Sequence, residues 1–323
     1  MSNRRQLIHW IERGLIAPEQ VPAALETARL RPDGNAWQRF IDYLLLAVGA
    51  ISLAAGLVFF IAYNWVAIGR FAKFALVEAA IVLAVLAFLR QDINRTASKF
   101  ALLVAAIALG VLLALFGQTY QTGADPWELF FNWALLILPW VLIARFAALW
   151  LVWLALLNLA LVLYYTALGR LWWWNIDNQS TLLWLLFGFN LLAQVVWEAG
   201  ATRWAWLNAR WAVRMIATAA GSLITFMAVL AVVEESRHDA TDILVWLLWL
   251  GGVFVLYLIR IRDLFMLAGG CLSAITVITT FLGYHLLDQG DPGAFLLLAL
   301  LVIGMGSGAA VWLRKQQREW ADD

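Results

Sequence analysis

Few residues in this chain combine a reactive type with a telling position, and the first of them is Glu78. It lies seven residues into an apolar run at 71–89, about 10 Å below the end of a helix built from that run. A charge near the bilayer centre costs roughly 3 kcal/mol, so this carboxyl has to face protein or water, or be neutral. Lys73 is five positions away, which is off-face on a helix, so it does not pair easily with Glu78. Two readings stand: a proton or cation site, or a protonated, hydrogen-bonded glutamate of structural value. Asn132, Asn158, Asn190 and Gln194 fall in later apolar runs. With Glu78 they would line a polar membrane path. The plainer reading is that each amide bonds a neighbouring helix, for about 1 kcal/mol.

A second set of residues sits at the ends of apolar runs. Asn64 and Trp65 follow the first, and Gln118, Tyr120, Gln121 and Asp125 follow the third. The stretch Gly117–Pro126 is rich in glycine and nearly neutral, which suits the mouth of a cavity or an ordinary helix-ending turn. Gly283–Pro292 repeats its spacing, and a parallel duplication would match runs one to four with runs seven to ten. His285, Asp288 and Asp291 lie there too, a weak candidate for metal. Catalytic pairings are missing: the sequence offers no nucleophile beside a base and no paired carboxylates. Cys271 is the single cysteine, and His9, His238 and His285 have no ligand spacing. Hence no catalytic residue, metal or cofactor is expected, and the chain does not read as an enzyme.

The elements that must position these residues follow from composition. Of 323 residues, 64% are apolar and 13% are charged. A soluble domain of this size cannot hide so much apolar surface, which excludes a soluble enzyme, a disordered chain and a nucleic-acid-binding domain. Ten apolar runs lie near 42–63, 71–89, 98–116, 127–144, 146–168, 180–198, 213–233, 241–259, 264–286 and 293–313. Each is long enough for the roughly 20 residues that a bilayer requires. A spanning segment must satisfy its own backbone, and the alternating pattern of barrel strands is absent, so the runs are helices. The fold class is all-α: a polytopic membrane protein with about ten spans. Only Arg145 and its neighbours separate the fourth from the fifth, and Pro139 should kink the fourth.

Charge orients the helices. With the N-terminus inside, only Arg70, Lys73, Arg170 and Arg237 of the 22 basic residues fall outside. The positive-inside rule therefore places both termini in the cytoplasm. Among 20 tryptophans, Trp65, Trp127 and Trp172–Trp174 read as an outer interfacial belt. Trp197, Trp204, Trp206, Trp211, Trp312 and Trp320 read as an inner one. Gly304 and Gly308 permit close packing of the last span.

Residues 1–41 form a separate cytoplasmic unit ahead of a membrane domain at 42–313 and a tail at 314–323. The first forty residues hold no apolar signal-peptide core. Residues 3–13 predict one helix, ended by Gly14, and Pro18 opens a second. A hairpin this small has little core and must dock on the membrane domain, on lipid or on a cytoplasmic protein partner.

Certain stretches resemble a known family. They are Trp10 with Gly14-Leu15-Ile16 and Glu19-Gln20, then Phe59–Trp65, then Phe116-Gly117-Gln118-Thr119-Tyr120-Gln121. Together they look like the bacterial membrane proteins called domain of unknown function 2157, over about the first half of the chain. The resemblance implies a multi-pass protein of the bacterial inner membrane with a cytoplasmic N-terminal segment, and it implies no activity. Two functional expectations follow. One is a transporter or channel for a small solute or ion, using Glu78 and the amides. The other is a scaffold, sensor or assembly factor that acts through the hairpin and outer loops. A polar cavity reaching Glu78 would favour the first, and a dry Trp/Leu core the second.

Overall fold

A computed structural model describes residues 7, 10–11, 13–27, 34–64, 66–93, 95–121, 123–168, 178–233, 240–286 and 292–322. Trp65, Trp172–Trp174, Asp288 and Asp291 lie outside them, as does most of the helix expected over 3–13. Among the described residues there is no strand. Near the start, Gly14 adopts a left-handed conformation (φ 68°). Its N–H reaches the Ile11 carbonyl at 3.0 Å and that of Leu15 reaches Trp10 at 2.9 Å, the two bonds of a Schellman stop. Pro18 opens a 3₁₀ turn that leads into α1 (Val21–Thr27).

Ten long helices follow: α2 (Gly34–Tyr63), α3 (Arg70–Leu89), α4 (Thr96–Tyr120), α5 (Pro126–Ala144) and α6 (Ala147–Leu168), then α7 (Asn178–Ala201), α8 (Arg210–Val233), α9 (Ala240–Val255), α10 (Leu264–Leu286) and α11 (Pro292–Asp322). Each contains a stretch long and apolar enough to cross a membrane, α9 only together with the helical turn Leu256–Arg260 that continues it. The fourth and fifth spans are separate helices. Arg145 turns between them in a left-handed conformation (φ 46°), a geometry that costs a non-glycine residue about 1 kcal/mol. Several helices outrun their apolar runs: α2 begins well before residue 42, and α11 carries on through Lys315 and Glu319, which pair at 3.7 Å.

The chain forms two compact units. The N-terminal one covers Trp10–Asn178. Here α4 is the central helix: α2 and α3 lean on one side of it through Ile61, Val77, Ala108 and Leu115. On the other side α5 packs on α4 and α6 packs on α5, around Leu102, Ala106, Ile137, Val141 and Leu149. Indole N–H groups join these layers. Trp133 donates to the Ala106 carbonyl at 2.7 Å, and Trp153 to Ala134 at 3.1 Å. The Trp133 ring lies against Gly110 so closely that an added methyl would overlap it.

The other unit takes in Gln179–Asp323. In it α8 is the central helix, with Ala220, Ile224, Met227 and Ala228 packed against Phe187 of α7, Trp246 of α9 and Val277 of α10. A hydroxyl serves here as an indole partner: Trp246 donates to Ser273 at 2.9 Å, and Ser273 bonds Thr225 at 2.6 Å. The last helix, α11, rests on α10, and its Trp312 meets Phe254 edge-on at 5.7 Å.

Candidate functional site

In the N-terminal unit the expected polar residues do not converge. Glu78 sits on α3 in an exposed position, with no hydrogen-bond or ion-pair partner among the described residues. The face of α3 that packs on α4 is the one carrying Phe74, Val77 and Ile81. A groove of about 740 Å³ does open between α2 and α3 above α4. Its walls are apolar and small, with Gly56 on α2, Ala80 and Ala84 on α3, and Ala108 on α4. Leu76 and Ala80 line it, and Glu78, two residues from each, therefore points to the other side of α3. The groove does not reach the carboxylate. Asn132 is exposed on α5. Asn158 donates to the Leu154 carbonyl of its own helix at 2.8 Å.

The expected mouth residues are helix ends. Asn64 bonds the Phe60 carbonyl through its side chain at 2.9 Å, closing α2. Gln118 and Tyr120 belong to the last turn of α4, and Tyr120 packs on Phe116 and Phe74, with ring centroids 4.8 and 6.0 Å apart. Gln121 ends the helix in a left-handed conformation (φ 45°), and Asp125 stands just before α5. His285 bonds the Phe281 carbonyl at 2.9 Å and lies over that ring.

Polar groups do converge in the C-terminal unit, at the ends of α7, α8, α9 and α10. Asn190 is buried and bonds the Leu186 carbonyl at 2.8 Å. One turn on, the buried Gln194 donates to the hydroxyl of Tyr257 at 3.0 Å, while its own Oε1 accepts no bond among the described residues. Tyr257 donates in turn to Glu198 at 2.9 Å. Arg210, the first residue of α8, spans two carboxylates. Its Nη1 holds Glu198 at 2.8 Å, and its Nη2 holds Asp263 at 2.6 Å. Arg214, one turn along, adds a fork to Asp263 at 3.2 and 3.0 Å.

Local geometry aims these groups. A π-helical turn, Leu256–Arg260, ends α9 and carries Tyr257, whose side chain is fully buried. Such turns hold one residue more than an α-turn and redirect the chain beyond them. Arg262 then takes a left-handed conformation (φ 53°). Asp263 comes next, accepts the Phe265 N–H at 3.0 Å and so caps α10, where a carboxylate also complements the helix dipole. Burial pushes the Asp263 carboxyl up, but its hydrogen bonds to Arg214 and Arg210 outweigh that and hold it below the usual carboxylate range. Two carboxylates and two guanidinium groups thus neutralise each other, the condition under which buried charge is tolerable. The arrangement is a clamp across four helix ends.

Of the expected residues only Gln194 joins this clamp. Glu198, Arg210, Arg214, Tyr257 and Asp263 did not stand out in the sequence. A faint signal was there: Arg210 and Arg214 stand one turn apart at the start of a span, and Glu198 and Asp263 lie at the ends of two others. Trp197, expected as an interfacial anchor, is instead buried beside the clamp and donates to the Leu207 carbonyl at 3.0 Å. Trp204 and Trp211 are the exposed indoles at this end.

Residues 9–150 match the model of a family described as predicted membrane protein, DUF2157, which bears out the resemblance over the first half of the chain. No curated protein and no solved structure matches the chain. The matched stretch holds Asn64, Glu78, Gln118 and Tyr120, whereas every residue of the clamp lies beyond it.

Proposed function

We propose that this membrane protein is a non-catalytic scaffold or assembly factor that engages a helix of another membrane protein through the Glu78 face of α3. The observation that carries this reading is the exposure of Glu78, with no partner among the described residues, inside a candidate span from Arg70 to Leu89. A bare carboxylate facing lipid at that depth is expensive, and a partner helix bearing a cationic, hydroxyl or amide group removes the cost. Ala75 and Ala79, also exposed, flank Glu78 on the same face and let a second backbone come close. The apolar character of the 740 Å³ groove and the apolar packing of α4, α5 and α6 support this reading over transport.

The orientation is part of the proposal. The concentration of arginine in alternate loops supports both termini being cytoplasmic in a bacterial inner membrane. Residues 1–41 then offer a second, cytoplasmic contact. The test is flux against assembly. Reconstituted Glu78→Gln protein should show the same solute and proton leak as wild type, while Glu78→Leu should lose a defined partner contact in membranes. A proton or cation flux that requires Glu78 would overturn the proposal in favour of transport.

A further inference from the structure

We infer that the clamped end of the C-terminal unit carries a binding site for an anionic phospholipid, with the lipid phosphate on Arg214. A groove of about 350 Å³ lies there, lined by Trp211, Arg214, Met215, Thr218 and Phe265. Arg214 is the one charged residue in that lining. Its Nε and Nη2 are held by Asp263, which leaves Nη1 without a partner among the described residues. The side chain is 40% exposed and lines the groove. The guanidinium also lies 5.4 Å from the centre of the Phe265 ring, which fixes its plane. A phosphate accepts from such a fixed guanidinium with charge-assisted bonds.

Depth and shape select a lipid as the source of that phosphate. Arg214 is one turn inside the start of a candidate span, at the level of the headgroups. Trp211 and Phe265 are each about half exposed, as interfacial aromatics are. Below them Met215 and Thr218 continue the groove toward the apolar part of α8, where an acyl chain would lie. Charge selects an anionic lipid. Arg203, Arg210, Arg214, Arg260 and Arg262 gather in the turns and helix ends here, against Glu198 and Asp263 alone. The surplus is positive, and clustered basic residues beside a span attract acidic headgroups.

Full-length protein purified in detergent and incubated with mixed vesicles of phosphatidylglycerol and phosphatidylcholine tests this by native mass spectrometry of the retained lipid. Wild type should keep phosphatidylglycerol over phosphatidylcholine by about tenfold, the scale of one charge-assisted bond. Thr218→Glu places a carboxylate one turn from Arg214, leaves the Asp263 clamp intact and should abolish the preference. Should that variant fail to fold, Trp211→Glu carries the same charge into the groove from an exposed position in the first turn of α8. Equal retention of the two lipids overturns the proposal, as does a preference unchanged in a folded groove variant. Displacement of the lipid by inorganic phosphate at equal concentration overturns the lipid as the ligand in favour of a free anion.

Discussion

The two units solve one problem by different means. Each must hold apolar helices together where the hydrophobic effect between them is weak. The N-terminal unit does so with indoles that bond helix carbonyls, Trp133 on Ala106 and Trp153 on Ala134, in an otherwise dry stack. The C-terminal unit keeps one such indole bond, Trp197 on Leu207, and adds side chains that bond side chains: Trp246 and Thr225 on Ser273 in the middle, and two arginines on two carboxylates at the end. The first arrangement is insensitive to pH and salt. The second is stronger at each joint and fails badly when one partner is lost. The difference also shows where each unit is open to something else. The N-terminal unit exposes a carboxylate it does not need, and the C-terminal unit exposes half of an arginine it does need.

Substitutions can break this contrast. Asp263→Ala strips Arg214 of its acceptor, leaves Arg210 with Glu198 alone and removes the cap of α10, so unfolding in detergent should become easier by about 3 kcal/mol. A loss below about 1 kcal/mol would mean that water replaces the carboxylate freely. The same contribution titrates. The folded carboxyl is held below its unfolded value of about 3.9, so its stabilisation is complete above that pH and is lost as pH falls through the folded value. Thermal melts of wild type and Asp263→Asn should therefore converge below about pH 4. Melts that stay parallel down to that range would argue against the paired carboxylate.

In the N-terminal unit the largest effect belongs to packing. Gly110→Ala drives a methyl into the Trp133 ring and should cost about 1–3 kcal/mol, with no dependence on pH. Trp133→Phe keeps most of the ring and loses one indole bond, for about 1 kcal/mol. If Trp246→Phe costs no more than that, its hydroxyl partners add nothing over a carbonyl, and the contrast between the units rests on the clamp alone. Glu78→Gln should be the mildest, within about 0.5 kcal/mol of wild type, because Glu78 bonds nothing among the described residues.

Ten helices could be read from the chain because lipid leaves a spanning segment no other choice, and each apolar run maps onto one of them. Even the narrow break at Arg145 is real, although only Arg145 and Phe146 lie between the two helices. What was not legible is direction. In a membrane helix both faces are apolar, so nothing in 71–89 says that Val77 faces α4 and Glu78 faces away. The depth of Glu78 was visible and its exposure was not. The clamp was hidden for another reason. Its bonded partners stand up to 63 residues apart, and a pairing over that distance leaves no local pattern. Arginines at span ends look like ordinary positive-inside residues until a structure gives them acceptors.

The exposed carboxylate is the point on which the functional reading turns. A photo-reactive amino acid at Ala79, next to Glu78 on the free face of α3, can be irradiated in native membranes. The expected result is one discrete protein adduct that persists with Glu78→Gln, which still hydrogen-bonds, and disappears with Glu78→Leu. Adducts to lipid alone, or a protein adduct indifferent to residue 78, would contradict a helix-docking role for this face.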